Sequence, residues 1–215
     1  MVNFKWLIKE DVLVFLDDVL CHTKGYEVYL AGGYLRDMYY QKYFNTGNIM
    51  VQPKDVDIIF VPVSEVKELP VLGSTYINYD VMAKDIPNVR DNVERVRGMF
   101  ATWLSTPDVQ FIVYDKYLTI QQLAEDMDCN INQAMYNIAT GESFCTEAFV
   151  QGHDDKVIEL LHTFETTRMC NRIIRMNKKF PSYTVVHDIS EEDWLEATTK
   201  PKVNGGVHCG SFIEE

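Results

Sequence analysis

The sequence predicts a mixed α+β domain built on a small sheet, followed by a short helical segment. Three observations lead there. Val56–Val63 (VDIIFVPV) and Val109–Tyr114 (VQFIVY) are short and rich in β-branched and aromatic residues, and the first is almost continuously apolar, as buried strands are. Trp6–Leu20 instead spaces its apolar residues as an amphipathic helix does. The elements run helix–strand–helix–strand, then a mixed region, then helices, an order that suits a small α+β or α/β domain with a short helical one behind it.

Each element has its own signal. Residues 3–23 place Trp6, Leu7, Val12, Leu13, Leu16 and Leu20 on helical spacing. Tyr26–Ala31 (YEVYLA) is β-rich and stops at Gly32-Gly33, and Tyr34–Tyr43 continues as a helix. Residues 45–53 carry turn residues and read as a mobile loop, while 64–85 give no clear signal. After the strand Val56–Val63, Val89–Leu104 reads as a helix and Val109–Tyr114 as a second strand. Leu118–Asp126, Asn130–Tyr136, Val157–His162 and Thr167–Lys179 all read as helices. Beyond Pro181 the chain turns polar and acidic, and an extended or poorly ordered tail is expected. The resulting division is a head at 1–150, a neck-like helical segment at 151–182 and an acidic tail at 183–215.

Composition narrows the function classes. The 215 residues suffice for one domain plus a small appendage, and 20 Lys+Arg against 32 Asp+Glu give a net charge of −12. Sequence-independent wrapping of duplex DNA depends on cations that release phosphate counterions, so broad duplex binding is not expected. An acidic chain does suit the gathering of Mg²⁺. No apolar run approaches the roughly 20 residues of a membrane helix, and acidic residues interrupt the N-terminal apolar stretch, so neither a membrane span nor a signal peptide is expected. Five cysteines without a CxxC pair argue for a reducing cytoplasm rather than a disulfide framework or a zinc ribbon. His22, His153, His162, His187 and His208 are scattered and read as structural or solvated, and Cys129 reads as a small core residue.

The chemistry concentrates in one ordered pair of segments. A strand ends in Gly32-Gly33, and the helix that follows at once carries Arg36 and Asp37. Paired glycines let backbone approach a phosphate closely, and a helix start offers free N–H groups and a positive dipole end. About twenty residues on, Lys54-Asp55-Val56-Asp57 opens a strand. Asp55 and Asp57 are two apart, so both side chains point to one face. Two carboxylates on one face can share Mg²⁺ with substrate phosphates, and two such ions can stabilise the attacking and leaving oxygens of a nucleotidyl transfer.

LAGGYLRDMYY followed by KDVDIIFV resembles the head domain of the tRNA nucleotidyltransferase (CCA-adding) and poly(A) polymerase family, within the polymerase-beta-like nucleotidyltransferases. MDCNINQAMYN resembles a further family segment, with Asp128, Ile131, Asn132, Ala134 and Tyr136 on matching positions. RIIRMNKKF at Arg172–Phe180 resembles the helix that reads the incoming base. The resemblance implies a polymerase-beta-like head with a small mixed sheet and a short helical neck. It further implies a Mg²⁺-dependent transfer of NMP from ATP or CTP to an acceptor hydroxyl, with release of pyrophosphate. On this reading Asp55 and Asp57 hold two Mg²⁺ ions. Gly32 and Gly33 cradle the triphosphate with Arg36 assisting, and Asp128, Asn132, Arg168, Arg172 and Arg175 complete the nucleotide site. A third catalytic carboxylate is expected on a neighbouring strand, and Asp108 is the candidate.

The sequence also departs from the family pattern. Asp126 and Met127 stand where two arginines are expected, and Met169 stands where Arg172 should have an acidic partner. The stretch after Phe180 is too short for the family's long tRNA-gripping body and tail domains, so the chain resembles a compact, bacteriophage-type member acting in a host cytoplasm. The acceptor implied by the family is an RNA 3′ end. Transfer to a protein or small molecule is the enzymatic alternative, and a nucleotide-binding module without turnover is the non-enzymatic one. Bland readings stand beside these: Arg36 as a structural partner of Asp37 or Asp55, Asp108 as a turn cap, and Arg172 and Arg175 as surface salt-bridge residues.

Overall fold

The computed structural model describes residues 2–21, 23–45, 51–63, 96–102, 108–114, 116–161 and 166–199. Its centre is a six-stranded mixed sheet of β1 (Tyr26–Ala31), β2 (Asp55–Pro62), β3 (Val96–Thr102), β4 (Asp108–Tyr114), β5 (Ala134–Asn137) and β6 (Ser143–Cys145), in the order β3-β4-β2-β1-β5-β6. Only β2 and β4 run parallel, and every other neighbouring pair is antiparallel. The two strands with the clearest sequence signals are thus adjacent, and β2 is central.

Alternation along β2 splits its side chains between two cores. Val56, Ile58 and Phe60 join Val28 and Leu30 of β1 and Val109, Phe111 and Val113 of β4. This layer packs against helix α1 (Glu10–Cys21) through Val12, Leu16 and Val19, and against α2 (Gly33–Tyr43) through Tyr34, Leu35 and Tyr39. On the opposite face Ile59 and Val61 meet Tyr29, Met135 and the short helix α3 (Ile120–Glu125), whose Leu123 and Ala124 are fully buried. Thr119 and Gln122 start α3 with a reciprocal capping box. On this second face β2 begins with Asp55 and Asp57 instead of apolar residues, so the core gives way to a polar site at that end.

A third core joins the C-terminal part to the rest. Helix α4 (Glu147–Asp154) is followed by β7 (Val157–Glu159), helix α5 (Thr166–Lys179), β8 (Thr184–Val186) and helix α6 (Glu191–Thr199). Strands β7 and β8 pair in parallel. Met176, Phe180 and Tyr183 pack with Tyr40, Val51, Cys129, Ile131 and Ile158, which ties α5 to α2 and to the turn around residue 130.

Several expectations are corrected. Within Val89–Leu104, read as a helix, Val96–Thr102 form strand β3 paired with β4, and the rest of that stretch lies outside the described residues. Asn130–Tyr136 is a 3₁₀ turn (Asn130–Asn132) followed by β5, and the start of the expected helix Val157–His162 is β7. Helix 3–23 divides into a 3₁₀ turn at Phe4–Trp6 and α1. The region read as tail carries β8 and α6. Residues 46–50, most of the loop read at 45–53, and residues 64–85 lie outside the described residues.

Candidate nucleotide site

Strand β1 ends opposite Asp57, where Ala31 pairs with it, and the chain then turns through Gly32 into α2. Asp55 therefore projects beyond the end of β1, beside the start of a helix. Gly32 adopts φ 62° and ψ −127°, a conformation only glycine takes readily, and its N–H donates to the Ala134 carbonyl at 3.2 Å. A Cβ there would lie 3.6 Å from Asp57 Oδ2 and 3.7 Å from Met127 Sδ. Gly33 is different: its Cβ would meet only the Arg36 guanidinium, at 3.4 Å, an ordinary contact. Gly32→Ala should thus destabilise the protein by roughly 1–3 kcal/mol through backbone strain, whereas Gly33→Ala should be close to neutral. Urea unfolding of the two variants side by side checks this, and equal losses would remove the strained turn from the account.

Around this turn lies a cavity of about 430 Å³, within the range of small-molecule sites. One wall is the sheet end with Asp55, Asp57, Gln110 and Ile112; another is the basic face of α5, with Arg172, Arg175, Met176 and Lys179. Gly32, Gly33, Arg36, Asp128 and Asn132 also line it, so nine of the residues expected from the sequence share one cavity. Two remain. Asp108 occupies the register position beside Asp55 on the adjacent parallel strand. Arg168 lies near the start of α5, four residues before Arg172.

The cavity cations are largely committed to neighbouring acids. Arg36, 6% exposed, donates through Nε to Asp37 Oδ1 at 2.8 Å and through Nη1 to Asn132 Oδ1 at 2.7 Å. Its guanidinium also lies 5.3 Å from the Phe180 ring centroid. Burial opposes its charge, but Asp37, Cys129 and Asp128 together hold its pKa above the ordinary value. The structural reading of Arg36 as a partner of Asp37 is the observed one. Lys179 makes a close ion pair with Asp37 Oδ2, and burial, together with the nearby Arg36 charge, lowers its pKa. Arg172 pairs with Asp128, Nη2 to Oδ1 at 2.6 Å, and Asn132 Nδ2 donates to the same oxygen at 2.8 Å. Arg172 thus finds its acid on the turn preceding Asn130 and not on its own helix, where Met169 stands. Arg175 has no hydrogen-bond or ion-pair partner among the described residues; burial and its neighbours Arg172 and Arg36 lower its pKa.

Burial pushes the Asp57 carboxyl up to about 7, with Asp55 and Asp128 adding to the effect and Arg172 and Arg36 opposing it. Such a carboxyl gains from a cation that neutralises it. Among the described residues no group of three or more His, Cys, Asp or Glu converges as a metal cage. Asp55 and Asp57 nevertheless fit Mg²⁺, which is commonly held by one or two carboxylates and completed by phosphate oxygens and water.

Sequence reasoning missed Gln110, Met127 and Lys179. Lys179 was within reach, since Arg172, Arg175, Met176 and Lys179 follow helical spacing. Gln110 follows only from the register of β2 with β4, and Met127 only from the approach of its thioether to Gly32.

The structure is similar to that of the Thermotoga maritima CCA-adding enzyme complexed with tRNA_CCA, at a TM-score of 0.51 and 16% identity over 91% of this chain and 45% of that one. It is similar also to CCA-adding enzyme structures with ATP (TM-score 0.51, 14% identity, 91% and 44% covered) and with CTP (TM-score 0.50, 18% identity, 91% and 45% covered). The chain spans less than half the length of these structures. No protein-family model matches the sequence, and no curated protein sequence matches it. At these identities the likeness is one of fold: the chain has the fold of a polymerase-beta-like nucleotidyltransferase head.

Proposed function

We propose that this chain transfers a nucleoside monophosphate from ATP or CTP to an acceptor hydroxyl. The observation that carries the proposal is the placement of Asp55 and Asp57 at the end of β1, beside the Gly32 turn into α2, across a cavity from the basic face of α5. In the reaction the acceptor oxygen bonds to the α-phosphorus, the bond from that phosphorus to the bridging oxygen breaks, and pyrophosphate leaves with the electron pair. The acceptor proton passes to solvent. Mg²⁺ bound at Asp55 and Asp57 would neutralise phosphate charge and orient the triphosphate. The free N–H groups at the start of α2 and the unpaired Arg175 supply positive potential for it, and Arg172 holds Asp128 in place. Residues 1–150 serve as the head, 151–182 as the neck that closes the cavity and 183–215 as an appendage, in a cytoplasmic protein.

The acceptor we favour is a short single-stranded RNA 3′ end. A large RNA footprint needs many free cations, and Arg36, Arg172 and Lys179 are already paired within the protein. Each phosphate contact adds roughly −0.7 for single strands to the slope of log affinity against log salt. The expected result is a shallow slope for short oligonucleotides and weak, salt-sensitive binding of intact tRNA, read by fluorescence anisotropy. Incubation with Mg²⁺ and α-labelled ATP or CTP should label an RNA fraction and release pyrophosphate. Label on protein or on a small molecule instead would move the acceptor to that class, and nucleotide binding without label in any fraction would leave a binding module.

A further inference from the structure

We propose that Lys179 is a ligand of the β- and γ-phosphates, held ready for them by the buried carboxylate of Asp37; the inference rests on the nucleotidyl-transfer reading above. Three buried or partly buried cavity cations have acidic partners, and they differ in how far those partners need them. Arg36 donates to Asp37 and Asn132 and lies over the Phe180 ring, so it is fixed from three elements. Arg172 Nη2 reaches both oxygens of Asp128, which has no other ion-pair partner among the described residues. Lys179 has one partner among the described residues, Asp37 Oδ2, and Asp37 already has a cation. Arg36 Nε and Nη2 both lie 2.8 Å from its Oδ1. An ammonium carries three hydrogens. Lys179 can therefore keep Asp37 and still donate into the cavity that its partly exposed side chain lines.

Two cations on one enclosed carboxylate leave a positive charge over at the cavity wall. Burial and the Arg36 charge oppose the Lys179 ammonium, while Asp37 and, across the cavity, Asp55 favour it. An anion in the cavity relieves that excess. Asp37 lies one turn along α2 from Gly33, so the ammonium it holds stands near the helix start whose free N–H groups face the triphosphate. The reacting α-phosphate belongs by Asp55 and Asp57, and the two phosphates behind it need positive charge of their own. Arg175 and Lys179, one turn apart on α5, line the cavity there. When the bond to the bridging oxygen breaks, the electron pair stays with pyrophosphate. An ammonium fixed in place by Asp37 meets that charge as it develops.

The test is calorimetry of ATP, AMP and pyrophosphate with Mg²⁺ on the full chain. Lys179→Met should lose about tenfold or more in affinity for ATP and for pyrophosphate, the scale of one charge-assisted hydrogen bond, and keep AMP at wild-type affinity. Lys179→Arg should recover most of the ATP affinity. Urea unfolding of Lys179→Met should stay close to wild type, because Arg36 still holds Asp37. A second measurement needs no variant: ATP and pyrophosphate, but not AMP, should slow reductive methylation of Lys179 in the wild type, read by mass spectrometry. Unchanged ATP affinity in Lys179→Met, equal losses for ATP and AMP, or methylation of Lys179 at one rate with and without ATP would overturn the inference. A wild type that binds neither ATP nor CTP with Mg²⁺ would refute the nucleotidyl-transfer reading itself, whereas ATP binding that Lys179→Met leaves intact removes Lys179 alone.

Discussion

Asp57→Asn should abolish cation-dependent nucleotide transfer, by at least about a hundredfold, the scale on which removing one preorganised electrostatic partner acts, while making the metal-free protein more stable. The two effects share one cause. Asp57 is enclosed between Ala31 and Gln110 with Asp55 beside it, and burial and that neighbour push its pKa up to about 7 from 3.8. A carboxyl whose folded-state pKa is raised binds its proton more tightly in the folded state than in the unfolded one. Its contribution is favourable only while it is protonated, so stability falls as pH rises from about 4 to about 7 and stays reduced above that. An amide carries no such cost. Without divalent ions the variant should melt close to wild type at pH 4, and above it by on the order of a few kcal/mol of stability at pH 8. Mg²⁺ with nucleotide should raise the melting temperature of the wild type and leave that of the variant unmoved. A variant that melts lower than wild type at pH 8, or that keeps its turnover, would show that Asp57 is not an enclosed cation ligand.

The period-two placement of Asp55 and Asp57 was legible because it is local: alternation along one strand fixes the shared face. The same holds for the Gly32 turn and for α5, whose apolar and basic residues both follow helical spacing. What was illegible depends on pairing between distant segments. Strand β3 (VRGMFAT) carries an arginine and a glycine and, among the described residues, pairs with β4 alone, so its pattern lacks the apolar run of a central strand. The Asn130 side chain ties the 3₁₀ turn to β7: its Oδ1 accepts from the Ile131 and Glu159 N–H groups, and its Nδ2 donates to the Val157 carbonyl. Val157 and Glu159 lie nearly thirty residues on, and without them NINQAMY reads as a helix. Strand β7 is three residues long and exists through its pairing with β8. The site divides in the same way: its paired acids and the Arg36–Asp37 pair were legible locally, whereas the partners of Arg172 and Lys179 are set by tertiary contact.

Arg36→Met should cost about 3–5 kcal/mol of folding stability, the scale of breaking a buried ion pair from one side. The sequence offers Arg36 two roles, phosphate contact or structural partner, and they predict different measurements. In the structure Arg36 spans three elements. It donates to Asp37 on its own helix, to Asn132 on the 3₁₀ turn, and lies over the Phe180 ring just past α5. Asn132 in turn donates to Asp128, which Arg172 of α5 also holds. Removing the guanidinium leaves Asp37, 1% exposed, with Lys179 alone, and strips Asn132 Oδ1 of its donor. A methionine restores much of the volume but none of these bonds. Because Asn132 and Asp128 then lose their fixed positions, α5 should loosen, and Arg175 with it. Nucleotide affinity should therefore fall by an amount that tracks the lost stability, whereas Arg175→Ala should weaken nucleotide binding with little change in unfolding. Denaturant titration and calorimetry on both variants separate the roles. An Arg36→Met protein of near wild-type stability with affinity lost a hundredfold would make Arg36 a phosphate ligand and set its pairing with Asp37 aside.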